Sequence, residues 1–274
     1  MTAILGRPAA PAVRHRWQER MLGAARYEYL MQVRRPAVWL VVLALTGLRA
    51  SRPWPASLSI SGTALRPLVG DWAIDFMMLA PIGVGVVLAD RGRRESQLGL
   101  GDLLGSVPNG PGSRWWGKAA GATAATLTPV ACAWAVLLGY LATQRGAAVI
   151  PAGIAAFAAV ILPGMLFVAA MSLAVPLLIG APLYRLGLIG YWFWGNLVGP
   201  RYGIPTLSGT PLEAIGEYPS GAWFGGQMFD AADKGIHATT ADAALSIAVL
   251  LAAALAALAI THLVLSKLAE RSMS

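Results

Sequence analysis

Long uncharged apolar stretches alternate with short polar segments along this chain, and the stretches have the length of bilayer crossings. Six crossings are expected. They run over 36–55, opening on "PAVWLVVLALTGL"; 68–89, "PLVGDWAIDFMMLAPIGVGVVL"; 116–142; 150–178; a short one at 184–199, "YRLGLIGYWFWGNLVG"; and 242–266. Residues 147–200 are the ambiguous block. Their only charge is Arg185, and at about 1.5 Å per residue they hold two crossings, not three. Gly and Pro place the turn at "GAPLYR", Gly180 to Arg185. That turn keeps Arg185 at a surface, away from mid-membrane, where it would cost about 2.5–3.5 kcal/mol.

Ahead of the first crossing, 14–35 reads "RHRWQERMLGAARYEYLMQVRR". Met21, Leu22, Ala25, Tyr29 and Val33 share one face at helical spacing, with Arg16, Arg20 and Arg34 on the far side. The pattern predicts an amphipathic helix lying along the inner membrane surface. Residues 1–13 are Pro/Ala-rich and are expected to be a flexible tail; 267–274 form a second short tail.

Composition supports the membrane reading. Charged residues make up 12% of the chain and hydrophobic residues 57%, more apolar side chain than a soluble fold of this size hides. The net charge of +8 then points to a basic cytoplasmic face facing anionic lipid and not to nucleic acid. With both termini inside, the inner segments hold fifteen Lys or Arg and the outer ones six, as the positive-inside rule asks. The outer segment 201–242 leans acidic, with Glu213, Glu217, Asp230, Asp233 and Asp242. The single cysteine, Cys132, gives neither an internal disulfide nor a metal framework. The first apolar stretch follows a long basic segment, so a secretory signal peptide is not expected.

Two stretches approach nucleotide motifs without reaching them. In "GSRWWGKA", Gly112, Gly117 and Lys118 have phosphate-loop spacing, but Ala119 stands where a hydroxyl must hold magnesium. The stretch follows a Gly/Pro turn, not a strand, and Trp115 and Trp116 suit a headgroup belt with Lys118 reaching back to the interface. Gly117, Gly121 and Ala125 form a small-residue ridge for helix packing. "GLGDLLG", Gly99 to Gly105, lacks the dinucleotide fingerprint and its βαβ setting. His15, His237 and His262 are scattered, and no catalytic or nucleotide site is expected in this chain.

The chemistry-bearing residues fall in three places. The loop 90–115 contains a short amphipathic piece with Leu98, Leu100, Leu103 and Leu104, which calls for a partner groove in preference to a dip into the lipid headgroups. Tyr191, Trp192, Phe193, Trp194 and Asn196 crowd four aromatics and an amide into the short fifth crossing and suit either an amphiphilic substrate or an aromatic belt packed against lipid near the membrane surface. Asp71 and Asp75 share a face of the second crossing; the helix dipole favours Asp71, while Asp75, a turn deeper, is the candidate for touching substrate or a gate. Pro81, Pro129, Pro163 and Pro176 are expected to be static kinks.

Three stretches together carry a family resemblance: "RYEYLMQVRRPAVWL", "ADRGRRESQLGLGDLLGSVPNGPGSRWWGKAAG" and "PLLIGAPLYRLGLIGYWFWGNLVGPRYGIPTLSGTPL". From about Arg26 onward the chain resembles the membrane (permease) subunit of a type-2 class ABC exporter. The resemblance implies an all-α integral membrane fold over 36–266 with six transmembrane helices, an N-terminal interfacial helix and a short cytoplasmic coupling helix. Leu98, Leu100, Asp102, Leu103, Leu104 and Ser106 would dock that coupling helix into a separate cytoplasmic ATPase. Two ATPase copies would bring the ATP and magnesium, beside a second copy of this chain or a related permease, in the cytoplasmic (inner) membrane of a bacterium. Short re-entrant helices before the last crossing are also implied, with "PSGAWFGGQMF", Pro219 to Phe229, as the candidate. The substrate would be a drug, peptide or lipid. An ion-driven secondary carrier and a membrane-embedded lipid- or peptide-processing enzyme are the alternatives; the enzyme would need Asp75 and His262, which the expected topology puts near opposite surfaces.

Overall fold

The computed structural model describes residues 13–50, 64–92, 111–198, 203–226 and 238–273, all helical or irregular. The helices are α1 (Val13–Val33), α2 (Pro36–Ala50), α3 (Leu65–Met77), α4 (Ala80–Leu88), α5 (Pro111–Arg145), α6 (Val149–Ala156), α7 (Leu162–Ile179), α8 (Ala181–Trp192), α9 (Glu217–Pro219) and α10 (Thr240–Met273). Wider π-type turns join α6 to α7 (Phe157–Ile161), extend α8 (Phe193–Leu197) and extend α9 (Ser220–Phe224). Four helical stretches are long and apolar enough to cross a membrane: Leu65–Leu88, Gly112–Arg145, Val149–Ile179 and Thr240–Lys267. The architecture is that of a multi-pass membrane protein. Pro36–Leu48 is apolar but shorter.

The expected second crossing, 68–89, is not one continuous helix. It breaks at Met78 and Leu79, just before Pro81 enters the first turn of α4. Proline lacks an N–H and crowds the preceding turn, so the ladder resets: Ile82 N–H bonds Leu79 O at 3.2 Å and leaves the Met78 carbonyl to others. Pro163 sits in the same way just after the π turn Phe157–Ile161. The turn expected across Gly180–Arg185 is confined to Gly180, whose φ of +90° is open to glycine without strain. α8 starts at once on Ala181, with Pro182 in its first turn, where a missing N–H costs nothing.

Glycines set the closest helix contacts. A Cβ on Gly121 would lie 2.3 Å from the Ala25 carbonyl oxygen, and one on Gly117 2.6 Å from that of Met21. The Gly117/Gly121/Ala125 ridge therefore seats α1 along α5. The face α1 turns inward differs from the sequence expectation: Glu28 and Gln32 are buried while Leu22 is 62% exposed. Periodicity ranked the side chains by apolarity, but Arg91 at the end of α4 supplies a partner that makes burial of the polar ones tolerable. Trp115, Trp116 and Lys118 also turn inward. Trp115 is buried and donates Nε1–H to Leu258 O at 3.1 Å, Trp116 meets the His262 ring edge-on, and Lys118 is buried.

Candidate functional site

Two polar sites occupy different levels of the bundle, one at the end of α4 and the other reaching from the opposite end to mid-depth. The first lies at the α1 end. Arg91 closes α4, its N–H bonding Leu88 O at 2.9 Å. Its guanidinium is 2.6 Å from Glu28 Oε1, an ion pair without the alignment of a hydrogen bond. Arg91 Nε–H donates to Gln32 Oε1 at 3.0 Å, and Gln32 Nε2–H donates to Thr126 Oγ1 at 3.1 Å. The next residue back, Asp90, accepts from Arg185 of α8 at 2.5 Å. Sequence reasoning missed this site. Glu28 sits amid basic residues and reads as a solvated charge, and nothing near it in sequence names Arg91.

The second site is built by residues 203–226, which enter the bundle as an inserted segment. Its depth is given by Ala214, whose carbonyl oxygen would be 2.2 Å from a Cβ on Gly164. Gly164 is the middle residue of the 31-residue span Val149–Ile179. Gly216, at φ +92°, packs on Val160 in the first π turn, and Gly70 of α3 makes room for Ser220 and Phe224. The segment also folds on itself. Glu213 Oε2 accepts from Gly209 N–H at 3.3 Å, Glu213 Oε1 accepts from Glu217 N–H at 3.4 Å, and Tyr218 O–H donates to Gly209 O at 2.7 Å.

The structure divides the aromatic set of the fifth crossing. Trp192 and Asn196 are buried and hold the fold. Trp192 Nε1–H donates to the Met78 carbonyl freed at the α3–α4 break, at 2.9 Å. Asn196 Nδ2–H donates to Trp192 O at 3.3 Å, and its Oδ1 accepts from Ala214 N–H at 2.9 Å. It thus ties the π turn of α8 to the inserted segment. Tyr191 is half-buried, its ring packed near Phe167 and its hydroxyl 3.5 Å from Leu212 O. Phe193 and Trp194 face outward, 46% and 45% exposed. Asp75 is buried one turn ahead of the break, where its carbonyl accepts from Met78 N–H at 3.3 Å. Trp192, Asn196 and the inserted segment therefore meet at the level of the α3–α4 break, with Asp75 buried one turn away along α3, and Phe193 and Trp194 leave that group.

The buried carboxylates at this end are Asp71, Asp75, Glu213 and Glu217. The acidic lean of 201–241 was visible in sequence; reading the segment as a surface loop hid the burial of Glu213 and Glu217. Among the described residues no three His, Cys, Asp or Glu side chains converge as metal ligands. Leu98, Leu100, Asp102, Leu103, Leu104 and Ser106 lie outside the described residues. No family model, curated protein or solved structure matches this chain.

Proposed function

We propose that this chain is the membrane subunit of an ATP-driven exporter of the type-2 class, working in the bacterial cytoplasmic membrane with both termini inside. It pairs with a second copy or a related permease and with two copies of a cytoplasmic ATPase, which carry the ATP and magnesium. The cargo is hydrophobic or amphiphilic. In this reading α2 and the stretch Ala181–Leu197 complete six crossings. That stretch rises about 25 Å over its helical residues, short for a hydrocarbon core of about 30 Å.

The observation that carries the reading is the inserted segment. A helical stretch, Glu217–Phe224, sits among α3, the Phe157–Ile161 turn and α10, immediately before the last long helix. The family that the sequence resembles has re-entrant helices at this place in the chain. A soluble loop of this length would not bury Glu213, Ile215 and Ser220 to about 1% exposure or less.

Purification of the chain from its native membranes in mild detergent tests the proposal. The expected result is a stoichiometric ATPase with a complete phosphate loop, lost when Leu103 and Leu104 are both replaced by Glu. A chain that purifies alone and transports without ATP would overturn it. The four buried carboxylates favour one competing reading, an ion-driven carrier. That reading requires transport driven by an ion gradient alone and abolished by Asp75→Asn.

A further inference from the structure

Two neighbouring residues at the end of α4 grip two different helices. Arg91 reaches α1 through Glu28 and Gln32, and through Gln32 it reaches Thr126 of α5. Asp90 reaches α8 through Arg185, whose Nε–H also donates to Val86 O at 3.2 Å. One turn further along α8, Leu188 fills the notch beside Gly85, where a Cβ would be 2.3 Å from Leu188 Cδ2. Tyr184 O–H and Ser172 Oγ are 2.7 Å apart and tie the same turn to α7.

The buried ion pair is not needed for adhesion. α1 already lies against α5 at Gly117 and Gly121 close enough for backbone contact. A buried pair recovers little net stability after desolvation, and apolar residues of the same size would hold the seam as well. An arginine fork engaging two side chains on one helix adds a single fixed register. From Arg185 to Tyr191, α8 is unbroken helix, rising about 9 Å. At its far end, Trp192 and Asn196 hold Met78 and Ala214. Direct contacts therefore run from α1 to the inserted segment.

We propose that Asp90 and Arg91 are positioning residues forming a two-armed anchor, so that α1 and α8 move together about the end of α4 and a displacement of α1 reaches the Tyr191–Asn196 turn. The exporter reading supplies only the source of the push on α1; the anchor itself can be tested in the chain alone.

The test uses the full chain in lipid nanodiscs with Cys132→Ser. Spin labels are placed through Gly23→Cys on α1 and Gly187→Cys on α8, both positions beside open space. Pulsed electron resonance then reads the α1–α8 distance. A single narrow distribution is expected, broadened by Arg91→Gln and by Asp90→Asn. The charge exchange Glu28→Arg with Arg91→Glu restores it in the Arg91 arm. A second label pair, Gly139→Cys with Leu255→Cys, reads α5 against α10 and stays narrow throughout. Unchanged α1–α8 distances in both single variants overturn the anchor. Equal broadening of the α5–α10 pair also overturns it, because the effect is then general loosening. Failure to find an ATPase partner sinks the exporter reading and leaves this result standing. With the ATPase present, Arg91→Gln is expected to keep hydrolysis and lose transport, and a parallel fall in both overturns the relay.

Discussion

The two ends of the bundle hold charge in different ways. At the α1 end, carboxylates meet guanidiniums from distant parts of the chain: Glu28 with Arg91, and Asp90 with Arg185. At the opposite end, Glu213 is satisfied by backbone N–H groups of its own segment, those of Gly209 and Glu217. The first arrangement fixes how helices stand relative to one another. The second closes a short stretch on itself, which can then be inserted as a unit. A buried acid thus serves as an inter-helix register pin at one end and as a local fold-maker at the other.

The most damaging substitution is expected at the α1 end. Arg91→Leu leaves Glu28 buried opposite an apolar side chain and should destabilise by about 3–5 kcal/mol. Thermal unfolding in detergent should show the loss, and Glu28→Leu in the same chain should recover most of it. If the double variant is as unstable as the single one, the pair is not the pin described above.

Next is Glu213→Ala, which strips two buried N–H groups of their acceptor at about 1–3 kcal/mol each. Hydrogen exchange should accelerate across 207–220 while the α1 amides stay protected; faster exchange in α1 would show that the two ends are not separate. A smaller effect sharpens the contrast within the α1 end. Asp90 and Arg185 are partly exposed, with side chains 58% and 34% accessible, so Arg185→Gln should cost only about 0–1 kcal/mol in melting experiments. The smallest is Gly190→Ala, at a position beside open space. It should stay within about 0.5 kcal/mol, whereas Gly121→Val, against the Ala25 carbonyl, should cost about 1–3 kcal/mol by overpacking.

Much of the helical plan was legible. The stretch expected at 150–178 spans Val149–Ile179, and the one expected at 242–266 lies within Thr240–Met273. Such runs are long, apolar and bounded by charge or glycine, so no distant partner is needed to explain them. The break at Met78 was half legible. Pro81 announces a disturbed turn, but the group that takes the Met78 carbonyl is Trp192, 114 residues away. The candidate site was legible in its residue types and not in their roles. Trp192 and Asn196 drew attention as aromatic and amide in an apolar run, yet both are engaged in holding the chain together.

By itself, the sequence determined that this is a chain of long apolar helices, where glycine and proline interrupt them, and which small residues permit close approach. Those are local properties, set by each residue's own transfer energy and backbone freedom. Only the tertiary structure decided which charges are buried and what they do. The cost of burying Glu28 or Glu213 depends on a partner's position, and that position follows from how α4 ends beside α1 and how 203–226 enters between α3 and α10.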